Sequence, residues 1–173
     1  MISSAIPKVA LVRYGAVPEV ARCTVPEGLQ VARNDQVVVQ THRGKELGQI
    51  LEFARPPREP GVEVPSPSFA VLRLATREDL QIPSSTDERL NEYAVWEQRI
   101  LDWNLDLQLI ELEWTLEREK LILYVLNARG PECTKLALQA AAAGLGLIEV
   151  QPVGADGPVS LPSGGGCGTC GSH

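Results

Sequence analysis

The sequence predicts an α+β protein in which a small N-terminal β-barrel-like unit precedes a ferredoxin-like βαββαβ unit. Three observations support this prediction. Short apolar segments separated by turn residues fill residues 8–53, a proline-rich segment follows, and strand and helix patterns alternate from residue 69 to residue 153. That later order of elements is the split βαβ arrangement. The predicted organisation is a barrel-like unit at residues 1–54, a linker at 55–67, a ferredoxin-like unit at 68–153 and a flexible Gly/Cys-rich tail at 154–173.

The barrel-like unit is predicted from four or five short strands that are bounded by turn residues. Glu27-Gly28 and Asn34-Asp35 are turn signals, and Gly44 in the tight turn His42-Arg43-Gly44 is available for positive φ. A small sheet that closes on itself leaves no open edges, which favours a barrel. The segment Arg55–Pro67 contains five prolines in thirteen residues, and proline interrupts both helices and sheets.

The segment Leu105–Leu126 predicts a β-hairpin at the middle of the second sheet. Apolar and polar residues alternate over Ile110–Leu116, which is typical of a half-buried strand. The charged turn Glu117–Lys120 follows, and Leu121–Leu126 is apolar almost throughout. Such a continuous apolar run is typical of a central strand covered on both faces.

The longest predicted helix begins at Ser85 or Thr86 and is amphipathic. Its apolar face contains four aromatic or branched residues at helical spacing, namely Tyr93, Trp96, Ile100 and Trp103. Three further residues are expected to widen that face: Leu90, Ala94 and Leu101.

Two shorter helical segments complete the pattern. Thr76 is predicted to cap a short turn or helix in which Asp79 lies at the third position. Pro131 opens the second long helix, Gly144 ends it, and Leu147–Val153 is the last predicted strand.

The composition is that of an ordinary globular chain of 173 residues, with a net charge of −6 and a pI near 5.0. This acidic balance argues against binding nucleic-acid backbones through a broad basic surface. No apolar run approaches the roughly 20 residues needed to span a bilayer, and the start lacks the features of a signal peptide. We therefore predict a cytoplasmic protein, and four cysteines in a chain of this size do not make a disulfide framework.

The tail is the sharpest chemical feature of the sequence. Cys167, Cys170 and His173 are three residues apart in a glycine-rich segment, so their side chains can reach one metal ion. Zinc and iron–sulfur clusters usually need four ligands, so a complete site would require Cys23, Cys133, a second subunit or a partner. The alternative is that these thiols are redox-labile or incidental.

Several other residues could be functional, but their sequence context favours a structural role. His42 lies in a hairpin turn and is interpreted as a surface histidine, with contact to an anion as the alternative. Glu111 and Glu113 are interpreted as solvated acids rather than as a carboxylate pair. The three tryptophans are interpreted as core or partner-facing aromatics rather than as base-stacking platforms: Trp96, Trp103 and Trp114.

Three segments resemble the bacterial YaaT-type proteins, which belong to the family defined by the C-terminal homology region of a yeast polymerase-suppressor protein. The segments are FAVLRLATRE with Asp79, the hairpin segments LDLQLIELEWT and KLILY, and NDQVVVQTHRGKELG at residues 34–48. The resemblance covers roughly residues 13–153. The segment at residues 130–135 replaces a basic segment of the family, and the cysteine-rich block after the last strand also differs.

The resemblance implies a regulatory or adaptor protein rather than an enzyme. YaaT-type proteins join small helical partners in a complex linked to iron–sulfur clusters and messenger-RNA processing. The polar cluster that follows the best-matched segment is interpreted as salt-linked structure or as an interaction surface, and it consists of Arg73, Arg77, Glu78 and Asp79.

Two hypotheses of different classes follow. The first is a non-enzymatic adaptor that binds protein partners in RNA processing and development. The second is a metal or iron–sulfur protein that works through its tail, with zinc or a cluster as the cofactor. A weaker alternative is an RNA-binding module. The partner's identity and the oligomeric state stay open, with a homo-oligomer among the alternatives.

Overall fold

The computed structural model describes residues 7–81, 86–126 and 131–159. Within these ranges the chain forms nine strands and three helices. The strands are β1 (Val9–Tyr14), β2 (Glu19–Thr24), β3 (Gln36–Gln40), β4 (Lys45–Phe53), β5 (Phe69–Leu74), β6 (Gln108–Trp114), β7 (Lys120–Leu126), β8 (Leu147–Gly154) and β9 (Gly157–Pro158). The helices are α1 (Arg77–Gln81), α2 (Thr86–Asp102) and α3 (Glu132–Ala142).

The first five strands form a closed barrel in the order β1-β2-β5-β3-β4. Four of the five strand pairs are antiparallel, and the short pair between β2 and β5 is parallel. Apolar residues of alternating strand positions fill the interior, among them Val12, Val37, Ile50 and Val71. The predicted small barrel is therefore confirmed, and the proline-rich segment forms no helix or strand between β4 and β5.

The position of β5 differs from the prediction. The sequence assigned this strand to a ferredoxin-like unit, but it belongs to the barrel. It pairs with β3, where Val39 lies opposite Val71, and with β2, where Cys23 lies opposite Phe69. Without β5, the edges of β2 and β3 would be open, so this strand completes the barrel. The ferredoxin-like βαββαβ unit is not confirmed, and the barrel uses strands from both sides of the proline-rich segment.

The second sheet has the order β6-β7-β8-β9. The strands β6 and β7 form the predicted antiparallel hairpin, and β7 runs parallel to β8. The hairpin was expected at the middle of the sheet, but β6 is an edge strand and only β7 has neighbours on both sides. Residues 121–125 of the central strand are almost completely buried. The helices α2 and α3 cover one face of the sheet, where Trp96, Leu123 and Leu136 share one apolar cluster. Within the described residues, no helix has the length and apolar character to cross a bilayer.

The apolar face of α2 is narrower than predicted. Trp96 and Ile100 are buried, and Tyr93 and Trp103 pack against the same cluster. The leucines that were expected to widen this face point to solvent instead, since Leu90 is 62% exposed and Leu101 is 69% exposed. The core accommodates only the side chains on the line from Tyr93 to Trp103, so the neighbouring line with Leu90 and Leu101 lies outside it.

The opposite face of the second sheet contacts the barrel. Ile122, Tyr124 and Val153 form a small apolar cluster on this face, and Val17 from the turn after β1 packs against it. A backbone hydrogen bond also joins the two parts, since the Leu116 amide donates to the Lys45 carbonyl at 2.8 Å. The two sheets are therefore joined along one interface, and this interface contains the polar cluster described next.

Candidate functional site

The polar cluster is centred on Arg43, which lies in the turn between β3 and β4. Its side chain is fully buried. The guanidinium Nη1 donates to the Tyr124 hydroxyl at 2.9 Å, and Nη2 donates to Gln151 Oε1 at 3.3 Å. Both acceptors belong to the second sheet, so this barrel arginine crosses the interface. The turn is tight because Gly44 adopts the predicted positive φ, here +138°.

Four carboxylates surround the Arg43 guanidinium at distances of 3.4 to 3.9 Å. Two come from the barrel and two from the second sheet: Glu19, Glu46, Glu113 and Glu149. Burial by itself lowers the pKa of Arg43, but the surrounding phenol and carboxylates raise it above its ordinary value. Arg43 therefore stays charged, and the group as a whole carries an excess of negative charge. We call these five residues and Tyr124 the Arg43 cluster.

Two tyrosines contribute neutral donors to the Arg43 cluster. The Tyr124 hydroxyl donates to Glu113 Oε1, and the Glu113 Oε2 atom accepts from the Ala16 amide at 2.9 Å. Burial raises the pKa of Tyr124, and the charge of Glu113 raises it further. Burial also raises the pKa of Tyr14. Both phenols therefore keep their protons near neutral pH.

Glu46 is the most unusual carboxylate of the cluster because it is only 5% exposed. Its Oε2 atom accepts from the Thr41 hydroxyl, while Oε1 has no hydrogen-bond partner among the described residues. Burial raises the pKa of Glu46 from 4.5 to about 7, and the charge of Glu113 adds to the shift. Glu46 therefore changes its charge near neutral pH.

A cleft of about 310 Å³ opens beside this cluster, between the barrel and the second sheet. Its lining comes from the turn after β1, from β4, α1 and α2, and from the β6–β7 hairpin: Gly15, Ala16, Glu46, Leu47, Asp79, Arg89, Leu112, Glu113, Trp114, Thr115, Leu116 and Arg118. Glu46, Leu112 and Thr115 are buried and form the floor. The exposed rim carries two arginines, Arg89 and Arg118.

The Arg43 cluster was not predicted from the sequence. One signal was present in β4, where Glu46 occupies the same inward-facing positions as Gly48 and Ile50. A charged residue at an inward-facing strand position indicates a buried ionic site. The identity of its partners could not be read from the sequence, since Tyr124 is far away along the chain.

Asp79, one of the four predicted interaction residues, takes part in a capping interaction. It accepts from the Thr76 amide at 2.7 Å, and the Thr76 hydroxyl accepts from the Asp79 amide at 3.2 Å. Arg73 donates to both Asp79 oxygens, and this contact does most to lower the pKa of Asp79. The predicted cap is confirmed. Arg77 and Glu78 are exposed beside it on α1, and the interaction role of all four residues stays a prediction.

The two glutamates of β6, Glu111 and Glu113, have separate partners. Glu111 forms an ion pair with Arg89 at 2.8 Å, whereas Glu113 contacts Tyr124 and Arg43. They do not form a carboxylate pair, as expected, but Glu113 belongs to a buried cluster rather than to a solvated surface. His42 is 55% exposed in its turn and lies 3.5 Å from Glu149, in agreement with the surface interpretation.

The three tryptophans lie in or against the helix-side core, in agreement with their structural interpretation. Trp96 is 3% exposed, and Trp103 and Trp114 are partly buried against the same cluster. The Trp114 indole N–H donates to Glu92 at 3.1 Å, which satisfies its polar atom.

The predicted metal ligands Cys167, Cys170 and His173 lie outside the described residues. The two described cysteines do not meet, because Cys23 is buried in the barrel core and Cys133 in the core beneath α3. Burial raises the pKa of the Cys23 thiol to about 11. In the described ranges, no cluster of three metal-ligating side chains is present.

Comparison with known proteins finds a relative in Bacillus subtilis (strain 168). The chain is 27% identical over 147 residues to the stage 0 sporulation protein YaaT, and the match covers 84% of this chain and 52% of that protein. The chain thus spans about half the length of this curated relative. No protein-family model matches the chain, so the polymerase-suppressor homology family is unconfirmed. No solved structure matches it either.

Proposed function

We propose that this chain is a non-enzymatic regulatory protein that acts by binding a helical protein partner during a developmental process. The similarity to a stage 0 sporulation protein supports the developmental role. The YaaT-type resemblance implies small helical partners and a link to RNA processing, and we extend both to this chain as part of the proposal. The chain spans only about half of its relative, so the partner is defined here by its chemistry.

The observation that carries the proposal is an apolar stripe on the outer surface of α2. Leu90 is 62% exposed and Leu101 is 69% exposed. They are three helical turns apart, which places them on one line about 16 Å long. Ala94, one turn after Leu90, is also exposed on this line. We call these three residues the α2 stripe.

The charges beside the α2 stripe indicate the chemistry of the partner. Asp87 lies three positions before Leu90, and Glu97 lies four positions before Leu101 on the same face, so one acid stands at the end of the stripe and one between Ala94 and Leu101. An amphipathic helix with leucine-like residues on one face and lysine or arginine opposite these two acids would complement this surface. The net charge of −6 favours the same kind of partner.

The test is site-specific photo-cross-linking in cells of the organism that encodes the chain. A photoreactive residue at position 90 or 101 is expected to capture the same helical protein. The same residue at Asn91, an exposed position on the adjacent side of the helix, is the matched control and should not capture it. The double variant Leu90→Glu/Leu101→Glu should lose the partner and fail to rescue the developmental defect of a deletion strain.

A second control distinguishes a specific effect of the α2 stripe from the general effect of removing an exposed leucine. Leu138 on α3 is 64% exposed, so Leu138→Glu removes a similar apolar surface elsewhere and should leave rescue intact. Rescue by the double variant, or cross-links from positions 90 and 101 only to a second copy of this chain, would overturn the proposal. The latter result would assign the stripe to a homo-oligomer.

A further inference from the structure

The cleft beside the Arg43 cluster has the size of a site for one side chain. Its volume is about 310 Å³, which is at the lower end of the ~300–1,000 Å³ range of ligand sites in proteins. It is formed by parts of the barrel, the second sheet and two helices, so a bound group would contact both halves of the fold.

The deepest part of the cleft is acidic. Glu46 lies in the floor, and its Oε1 atom lies 3.7 Å from Arg43 Nη1 but has no hydrogen-bond partner among the described residues. Glu113 is 22% exposed and lies beside it, with its oxygens accepting from two neutral donors, the Tyr124 hydroxyl and the Ala16 amide. Its distance to the Arg43 guanidinium is 3.9 Å, longer than a hydrogen bond. Arg43 is the cation shared by these acids, so a second cationic donor would offset the negative charge that remains and donate a charged hydrogen bond to Glu113.

The walls of the cleft suit an aliphatic stem. Leu47, Leu112 and Leu116 line it with apolar surface. Arginine and lysine cover such surface with their methylene groups while the charged end reaches a polar site. Both arginines of the rim are already engaged, since Arg89 pairs with Glu111 at 2.8 Å and Arg118 lies over the Trp114 ring at 5.4 Å. The rim therefore gives an anion little advantage over a cation.

We propose that this cleft binds the cationic side chain of an arginine or lysine residue on the protein partner, with Glu113 as its acceptor and Glu46 adding negative charge beneath it. The inference deepens the proposed function and rests on it for the identity of the ligand as a protein side chain. The cleft and the α2 stripe share a border, because Arg89 lines the cleft and Leu90 begins the stripe. One partner helix would thus place its apolar face on α2 and one basic residue in the cleft.

The test uses N-acetyl-arginine methylamide as the probe and the full-length chain labelled with nitrogen-15. Chemical-shift changes are expected at the amides of Gly15, Ala16 and Leu47 and at the Trp114 indole N–H, all at the cleft. N-acetyl-citrulline methylamide has nearly the same shape without the charge. It should bind at least about tenfold more weakly, because a hydrogen bond to a charged group is stronger than a neutral one.

Two variants assign the binding to the cleft. Glu113→Gln keeps the shape of the side chain and removes its charge, so the dissociation constant of the arginine probe should rise about tenfold. Leu116→Trp fills the cleft without changing any acid and should abolish binding even if the first variant perturbs the Arg43 cluster. Glu52→Gln, at an exposed glutamate of the same strand as Glu46, is the matched control and should bind like the unmodified chain.

Equal binding of the arginine and citrulline probes, or unchanged binding by both cleft variants, would overturn the inference. Preferential binding of N-acetyl-glutamate methylamide would also overturn it, because the rim arginines would then define the site. These outcomes are separate from the cross-linking result. A partner captured at positions 90 and 101 without arginine binding would leave the proposed function standing and remove only the cleft from it.

Discussion

Arg43 Nη1 and the Tyr124 hydroxyl lie 2.9 Å apart, and this hydrogen bond joins the barrel to the second sheet. The bond is buried and surrounded by four carboxylates, of which Glu46 is almost completely buried and the other three are partly exposed. The arginine therefore neutralises charge that water solvates only in part. Lys120 also pairs with Glu149, at 3.3 Å. Arg43 contacts all four acids, so the stability of the interface depends mainly on this cation.

Arg43→Met should lower the free energy of unfolding by about 3 kcal/mol, the lower end of the range for breaking a buried ion pair, because only Glu46 is fully buried among the acids that lose this cation. Urea denaturation at neutral pH measures this change. Arg13→Met is the control, since Arg13 is exposed and donates to Gln49 at the surface, and it should change the value by no more than about 0.5 kcal/mol. A similar small change in both variants would show that the Arg43 cluster does not hold the interface together.

Glu46→Gln should stabilise the protein at alkaline pH. The folded state holds the pKa of Glu46 at about 7, above its ordinary value of 4.5. The folded state therefore binds more protons than the unfolded state between these values, and stability falls as pH rises through this window. Glutamine has no proton to lose in this range, so the variant keeps the free energy of unfolding that the unmodified chain loses, at most about 3 kcal/mol.

The measurement compares unfolding free energies at about pH 5 and about pH 8 for the unmodified chain, Glu46→Gln and the exposed control Glu52→Gln. The groups that face Glu46 are unchanged in these variants, namely Thr41, Arg43, Glu19 and Glu113. A pH dependence that is identical in all three proteins would contradict the raised pKa.

Gly15→Ala should destabilise the protein more than Gly28→Ala. Both glycines adopt positive φ, +85° and +87°, so both variants carry similar backbone strain of about 1 kcal/mol. A Cβ atom at Gly15 would also lie 3.2 Å from the Tyr124 hydroxyl oxygen and 3.0 Å from the Val17 carbonyl oxygen. A Cβ atom at Gly28 would have no neighbouring atom within 4 Å. The difference between the two variants in urea denaturation isolates the crowding at the interface, and a difference of zero would rule it out.

Asp79→Asn should lower stability by about 1–2 kcal/mol, because Asp79 accepts from the Thr76 amide and from Arg73. These contacts lower the pKa of Asp79, so its contribution is present at neutral pH and is lost as pH falls through its folded value. Glu78→Gln changes an exposed neighbour on the same helix and serves as the control. Thermal unfolding at neutral pH measures both, and equal melting temperatures would exclude a structural role for the cap.

The hypothesis that the tail holds a metal predicts metal in the full chain and none in a chain that ends at Gly166. Iron, zinc and acid-labile sulfide are measured on protein purified without air. Cys167→Ser and Cys170→Ser should each lower the metal content, since thiolates are the ligands of zinc and of iron–sulfur clusters. Equal metal content in the full and shortened chains would exclude the tail as the site.

The sequence determined the local structure of this protein well. Alternation of polar and apolar residues identified the hairpin of β6 and β7, and the apolar run of residues 121–126 identified the buried central strand. Turn residues marked the short barrel strands, and Thr76 with Asp79 marked a cap. These features depend on neighbours in sequence, so a local pattern carries the information.

Only the tertiary structure decided which sheet β5 joins and which charges meet. The pattern of residues 69–74 indicates a strand equally well in either sheet, and the open edges of β2 and β3 determined its place. The Arg43 cluster assembles residues from the barrel and from the second sheet, including Glu113 and Tyr124. Burial of an ion depends on partners that are distant in sequence, and no local periodicity encodes them.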